Sequence, residues 1–201
     1  MIVGIDIKII LAIISTIVAI IWAFIPYLKD IFLNKTKPHA YTWLIWAITQ
    51  GTAVVGLWYG NGGWGGLTLT VGTFFIFFIF FLSLKYGTYN ITKSDTVILT
   101  AALLAIVVWW KLSNPLLAIF MVSAIDILGY IPSFRKTFDD PWTETVISWA
   151  VFALVNTLSI FALNEYNFLT LTYLISITAA DVILLAICLI RRRVILSNFS
   201  G

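Results

Sequence analysis

Seven long apolar stretches, separated by short polar segments, occupy almost the whole chain. The hydrocarbon core of a bilayer is about 30 Å thick and needs roughly 20 mostly apolar helical residues, a length that these stretches reach with little to spare. The pattern therefore predicts an all-α polytopic membrane protein with seven transmembrane helices. We predict them at 7–33, 40–60, 65–85, 95–112, 115–137, 143–163 and 168–190.

The basic residues predict how these helices are oriented. Of the 12 lysines and arginines, only Lys8 and Lys111 fall on the side of the N-terminus. The other ten follow helices 1, 3, 5 and 7: Lys29, Lys35, Lys37, Lys85, Lys93, Arg135, Lys136, Arg191, Arg192 and Arg193. Because cytoplasmic loops carry an excess of Lys and Arg, we predict a multi-pass protein of the cell membrane with the N-terminus outside and the C-terminus inside.

Aromatic residues cluster at the predicted helix ends, as expected of an interfacial belt. They are Trp22, Tyr27, Trp58, Tyr59, Trp64, Tyr86, Trp109, Trp110 and Tyr166.

The composition excludes several classes of protein. The chain is 61% hydrophobic and 10% charged, which leaves no soluble domain, and its net charge of +3 follows from the loop lysines and arginines. We therefore expect membrane lipid as a partner and no nucleic acid. The chain has one cysteine, Cys188, and one histidine, His39, which we expect to be solvated or to cap a helix. No metal site of familiar spacing and no cofactor are predicted, and the oligomeric state stays open.

Helices 1–3 and helices 5–7 share the same pattern of prolines. Pro26 and Pro132 lie near the ends of helices 1 and 5, and each is followed by a charged loop and a second proline, Pro38 or Pro141, that opens the next helix. One shift in numbering superposes Pro38 on Pro141 and Trp46 on Trp149. Two three-helix units of the same orientation need a single helix between them, so we predict a 3+1+3 parallel repeat. Its parts are a first bundle at 1–92, connector helix 4 at 93–113, a second bundle at 114–193 and a cytoplasmic tail at 194–201.

This organisation, with the N-terminus outside, the C-terminus inside and prolines at the ends of helices 1 and 5, resembles the SWEET and PQ-loop group of transporters. Through the segments Lys35-Thr36-Lys37-Pro38-His39 and Ile131-Pro132-Ser133, the chain resembles more closely a set of bacterial and archaeal seven-helix membrane proteins of uncharacterised function. The chain departs from the PQ-loop signature because Tyr27 and Ser133 follow Pro26 and Pro132 where that group has glutamine. The resemblance implies the SWEET-like fold and a transport function.

Two acidic residues fall inside predicted membrane helices. Asp126 and Asp181 lie about 16–20 Å from the outer ends of helices 5 and 7, at a rise of about 1.5 Å per residue. Ionisable residues at this depth are costly and are by default candidates for function, and no basic residue matches their depth. We predict that they couple transport to protons; the alternative is a structural role as protonated groups bonded to a neighbouring helix.

Tryptophan and amide side chains form a second candidate site for a small polar solute. Trp46 and Gln50 share one face of helix 2 with Trp43, and Trp149 and Asn156 share one face of helix 6. Facing rings can stack on a sugar, a nucleobase or a cation, while the amides offer donors and acceptors. Tryptophans and asparagines line the binding site of SWEET carriers, so the resemblance implies the same for Trp46, Trp149 and Asn156. Tyr173 on helix 7 completes the predicted substrate-binding set. The alternative is that the tryptophans belong to the interfacial belt.

The prolines are candidates for a hinge. Pro26 and Pro132 remove backbone donors and kink their helices, and with Pro38 and Pro141 they would form a gate near the inner surface. The alternative, equally open for Pro38 and Pro141, is that they mark helix ends.

These features favour a secondary transporter that moves a small polar solute by alternating access. A seven-helix receptor or regulator without translocation is the second interpretation. An intramembrane aspartyl protease is disfavoured because neither Asp126 nor Asp181 lies in a Gly-x-Gly-Asp setting, so we expect no enzymatic activity and no catalytic residue.

Overall fold

The computed structural model describes residues 6–88, 91–112 and 114–199, and over these it contains seven long helices. They are α1 Ile7–Phe32, α2 Ala40–Tyr59, α3 Leu67–Tyr86, α4 Lys93–Leu112, α5 Pro115–Asp139, α6 Val146–Phe161 and α7 Phe168–Phe199. Short 3₁₀ turns lie at Gly63–Gly66 and Pro141–Thr143. The all-helical class is confirmed. Residues 1–5 and 89–90 of the predicted first bundle, 113 of the connector and 200–201 of the tail lie outside the described residues.

Within the part of the chain that the structure describes, four helical segments are long and apolar enough to cross a membrane: Ile7–Phe32, Gly63–Tyr86, Pro115–Asp139 and Phe168–Leu196. Large apolar side chains such as Phe74, Phe81 and Leu104 are exposed on the helix surfaces. Extended exposed apolar surface marks a membrane or a protein contact rather than a water-facing surface. By length and composition, the chain is a helical membrane protein.

Side-chain caps set where several helices begin. The Asp6 side chain accepts from the backbone N–H of the first turn of α1, and Asn114 does the same for α5. At α4, Asp95 accepts from the backbone N–H of Thr92 at 2.7 Å, while the Thr92 hydroxyl accepts from the backbone N–H of Asp95 at 3.3 Å. This reciprocal arrangement is a capping box, which satisfies two backbone donors at once.

A π-helical segment, Ala19–Phe24, interrupts α1 just before Pro26. Proline lacks the N–H that would bond the carbonyl four residues earlier, and a wider turn is one way for a helix to absorb that loss. The Ser148 hydroxyl of α6 also donates to the Ala23 carbonyl at 2.8 Å. As a result α1 continues through Pro26 to Phe32.

The structure corrects two predicted boundaries. Helix 6 was predicted to begin near 143 with Pro141 opening it, but Pro141 begins a 3₁₀ turn and α6 begins at Val146. Glu144 between them is extended because its side chain turns inward to Lys136. Helix 7 was predicted to end at 190 and to be followed by a tail, whereas α7 continues to Phe199. Arg192 on that extension donates to the Pro141 and Glu144 carbonyls.

The packing of the helices places the core between two groups of three. Helix α3 packs against α1 and α2, and α7 packs against α5 and α6. Between the groups, α2 packs against α5 and α1 against α6, while α4 lies on α5 and α2. The largest cluster of buried apolar side chains contains Trp46, Tyr130 and Trp149, and it draws on both groups.

Loops from both groups meet at each end of the bundle. At the end formed by loops 33–39 and 140–145, here called the basic end, the backbone N–H of Lys37 donates to the Thr143 carbonyl at 3.3 Å. At the opposite end, formed by loops 60–66 and 162–167, the Asn167 amide donates to the Gly60 carbonyl at 2.9 Å.

The predicted aromatic belt is only partly found at the surface. Trp22, Trp58, Tyr59, Trp64 and Tyr166 are exposed and Tyr86 is half-buried, whereas Tyr27 is fully buried among Trp43 and Trp149. Tyr27 was therefore wrongly predicted, because packing between the helices takes it inward. The side chains of Trp109 and Trp110 lie outside the described residues.

Candidate functional site

A cavity lies between the two groups of helices, and every long helix except α4 contributes to its lining. Its volume is about 60 Å³. The lining residues are buried, apart from the partly buried Phe152. A space of this size suits a small solute.

Asp126 lies on the wall of the cavity in the middle of α5, about 16 Å from the start of that helix. Its carboxyl oxygen Oδ1 accepts hydrogen bonds from the hydroxyls of Thr49 on α2 and Tyr173 on α7, the latter at 3.0 Å. Among the described residues, none donates to the second oxygen, Oδ2. One oxygen is thus held by neutral donors while the other stays open to a proton or a ligand.

Asp181 lies on the same cavity, in α7, about 20 Å from the start of that helix. The Tyr130 hydroxyl of α5 donates to its Oδ1 at 2.7 Å, and the Asn156 amide of α6 donates to its Oδ2 at 2.9 Å. Tyr130 lies one helical turn after Asp126 on α5, so the two acids belong to one polar group. That group joins α2, α5, α6 and α7 through side-chain bonds.

Both acids are bonded by neutral groups, and none of the lining residues is Lys, Arg or His. Both carboxyls are nearly inaccessible, at 1% and 2% relative exposure. A buried charge without a cationic partner is costly, so a proton or a cationic ligand would relieve that cost. The site therefore presents two buried carboxyl groups without a cationic partner in its lining.

Aromatic rings form the wall on the side of the basic end. The rings of Trp46 and Tyr130 lie 4.4 Å apart between centroids, and Trp149 lies 5.9 Å from Trp46 and 6.4 Å from Tyr130. Trp46 and Trp149 are 5% and 2% exposed. Their burial is incompatible with the alternative that they belong to an interfacial belt.

Gln50 joins α2 to α3 at the cavity. Its amide nitrogen donates to the Leu69 carbonyl at 3.0 Å, which leaves the amide oxygen without a donor among the described residues. Gly72 on α3 permits this approach, since a Cβ there would lie 3.1 Å from the Gln50 nitrogen. An open acceptor is thus placed in the lining.

A buried ion pair closes the basic end beneath the aromatic wall. Lys136 on α5 pairs with Glu144, and the other Glu144 oxygen accepts from the Trp149 indole N–H at 2.8 Å. Lys136 also donates to the Lys37 carbonyl at 2.8 Å, across the boundary between the two groups of helices. Opening this end requires breaking the bond between Lys136 and Lys37.

A further ion pair fixes α4 to the bundle. Arg135 donates to both oxygens of Asp95, at 2.9 and 2.8 Å, a bidentate geometry. The ring nitrogen Nε2 of His39 lies 3.4 Å from the same carboxylate. His39 occupies the N-cap position of α2 but is buried rather than solvated, because α4 covers it.

The structure brings all the predicted substrate-binding and proton-coupling residues to one cavity: Trp46, Gln50, Trp149, Asn156, Tyr173, Asp126 and Asp181. Their roles stay predictions. The prolines Pro26, Pro38, Pro132 and Pro141 do not line it; Pro132 lies within α5, and Pro38 precedes α2 by two residues.

The sequence reasoning missed Thr49 and Tyr130 as partners of the acids. Both carried a signal, because Thr49 lies three residues after Trp46, while Tyr130 lies four residues after Asp126. Those spacings place side chains on one helix face. Glu144 was also missed, and a glutamate in a short loop gives no comparable signal.

Comparison with protein families, with functionally characterised proteins and with solved structures finds no significant match to this chain.

Proposed function

We propose that this protein is a secondary transporter that moves a small polar solute by alternating access and couples that movement to protons through Asp126 and Asp181. The observation that carries the proposal is the buried cavity between two groups of three helices, with both carboxyls in its wall. Transporters built from parallel repeats bind their substrates at the interface of the repeats, near the midplane of the membrane. A cavity in this position suits that use.

We also propose that all seven helices cross the cell membrane as a 3+1+3 parallel repeat resembling the SWEET and PQ-loop group. The recurrence of helix contacts supports this arrangement, since α3 packs between α1 and α2 as α7 packs between α5 and α6. The contacts of α1 with α6 and of α5 with α2 are the pair that a two-fold axis would generate. The positive-inside rule then places the basic end in the cytoplasm.

Alternating access requires that each end of the cavity can open in turn. At the basic end, bonds between loops 33–39 and 140–145 hold the two groups together, and at the opposite end loops 60–66 and 162–167 do so. Opening the basic end would break these loop bonds and disturb the buried pair of Lys136 and Glu144, while opening the opposite end would uncover the buried Leu163. The helices that carry the two acids would then rock as rigid units.

The test is proton-coupled flux in proteoliposomes that enclose a pH-sensitive dye. Sugars, amino acids, amines and nucleosides are added singly, and we expect one class to change the internal pH. With that class of solute, Asp126→Asn and Asp181→Asn should each remove the proton flux, because the amide of asparagine cannot take up and release a proton as a carboxyl group does. Asp139→Asn, the same change at an exposed residue at the end of α5, is the matched control and should behave as wild type. Proton flux that survives in both cavity variants contradicts the proposal.

One observation favours a receptor or regulator as a second candidate. Loops of the two groups are bonded to each other at both ends of the bundle, as expected of a protein that holds a ligand in its cavity without passing it across. Saturable binding in a protein that supports no flux of the bound solute, in either direction of the pH gradient, would establish this second function in place of the first.

A further inference from the structure

The chemistry of the cavity wall selects against anions and bulky solutes. Two carboxyl groups and a continuous aromatic surface line it, whereas the lining contains no Lys, Arg or His. An anionic solute would meet like charge or unpaired carboxyls in a buried site, which is unfavourable. A cation would meet opposite charge and aromatic faces, both of which attract it.

The open hydrogen-bonding atoms of the wall are mainly acceptors. The amide of Asn156 donates to Asp181 and that of Gln50 donates to Leu69. The Leu69 carbonyl and the ionised Asp181 carboxylate can only accept, so the nitrogen end of each amide faces them, and among the described residues neither amide oxygen receives a donor. Together with Oδ2 of Asp126, these two amide oxygens give the wall three hydrogen-bond acceptors that are free to bind a ligand. The indole N–H of Trp46 is an open donor among the described residues.

We propose that the cavity binds a small primary-ammonium cation, with its N–H groups directed to the acceptors Asp126, Gln50 and Asn156 and its apolar part against the rings of Trp46 and Trp149. The inference names the solute class of the proposed transporter and rests on that function. A primary ammonium has three N–H donors and no acceptor, which matches the three open acceptors. The cavity volume of about 60 Å³ limits the solute to a small one.

Protons compete with this cation for the same carboxyls. Asp126 faces Thr49 on α2 and Tyr173 on α7, and Asp181 faces Tyr130 on α5 and Asn156 on α6. From α1 and α3 the cavity receives no titratable side chain. A protonated carboxyl no longer attracts an ammonium group, so binding weakens as the pH falls. Alternating access then exchanges one ammonium cation for protons.

The experiment compares two probes of the same shape on the purified protein in lipid nanodiscs. The tert-butylammonium ion and neutral tert-butanol have the same number of non-hydrogen atoms, so they differ in charge and N–H donors. At mildly alkaline pH we expect the ammonium to bind at least about tenfold more tightly, as charge and ring attraction in a desolvated site require, and to lose affinity on acidification. Equal affinity of the two probes overturns the proposal.

Variants of the cavity residues show where the ammonium cation binds, and flux measurements distinguish this proposal from the proposed transport function. Asp126→Asn and Asp181→Asn should each weaken ammonium binding by at least about tenfold, while Asp139→Asn should leave it unchanged. Because the comparison of probes needs only wild-type protein, it stands even if a variant does not fold. Ammonium binding without flux would exclude the transporter and retain this inference. Proton-coupled flux of a neutral solute, with no ammonium binding, would support the transporter and overturn this inference.

Discussion

Lys136 and Glu144 form an ion pair with almost no exposure, at 5% and 3%. The pair is surrounded by further bonds, since Lys136 donates to the Lys37 carbonyl and Glu144 accepts from Trp149. A buried pair of this kind adds little stability compared with an apolar replacement, but removing one partner leaves a buried charge unpaired. The pair of Lys136 and Glu144 instead fixes the geometry of the basic end.

Lys136→Met should therefore be strongly destabilising. We expect a loss of about 3–5 kcal/mol, because the Glu144 charge remains buried without its cation. The double variant Lys136→Met/Glu144→Gln removes both charges and should recover part of that loss. The measurement is the unfolding midpoint of the purified protein at one fixed heating rate.

Lys35→Met is the matched control, because Lys35 is exposed in the loop that precedes α2. It should shift the midpoint little, as surface substitutions usually do. A single variant at Lys136 that melts like this control would show that the pair is not buried as described.

Helices α2 and α5 belong to different groups and pack against each other. Each of them has a glycine that faces a side chain of the other helix. A Cβ at Gly129 of α5 would lie 2.9 Å from the Ile45 side chain on α2, whereas a Cβ at Gly56 of α2 would lie 3.7 Å from Ile119 on α5. The first distance is tighter than normal carbon contacts and the second is ordinary. The same helix pair thus has one crowded and one permissive glycine.

Gly129→Ala should destabilise the protein by about 1–3 kcal/mol, the usual cost of overpacking a core. Ile45 is β-branched and has little freedom to move its side chain away, so the helices must separate. Thermal unfolding measures the loss, and probe binding measures any change at Trp46, whose indole nitrogen adjoins Gly129.

Gly56→Ala serves as the control on the same interface. It should be neutral or slightly stabilising, because alanine favours the helix over glycine and meets only ordinary contacts. If the two alanine variants melt alike, the close approach of α2 and α5 at Gly129 is wrong.

The helices and the cavity acids were predictable because their signals are local. Apolar length predicts most helix ends within a few residues, although α7 continues nine residues past its predicted end to Phe199. A carboxyl such as Asp126 within an apolar run is conspicuous without any tertiary information. The ion pair of Lys136 and Glu144 was not predictable, since charged residues in short loops are usually solvated. It forms because Lys37, Arg192 and Trp149 surround the loop, and Lys37 and Arg192 come from distant segments.

The two ends of the bundle control access to the cavity if the protein is a transporter, and the basic end offers a direct way to test this. The hydroxyls of Thr36 and Thr145 lie 2.6 Å apart, one in each loop of that end. Thr36→Cys/Thr145→Cys should form a disulfide across the two groups of helices, because side-chain atoms this close are compatible with an S–S bond of about 2.05 Å.

Oxidation of this double variant with copper–phenanthroline should stop flux in proteoliposomes, and reduction should restore it, because the crosslink prevents loops 33–39 and 140–145 from separating. Cys188 is buried and its thiol is bonded to the Pro141 carbonyl, so the native cysteine should not interfere. Thr36→Cys alone controls for the oxidant. Tert-butylammonium binding should persist in the crosslinked protein, since the opposite end still opens. Undiminished flux through fully crosslinked protein would show that the basic end stays closed during transport, and the alternating-access mechanism would then have to be abandoned.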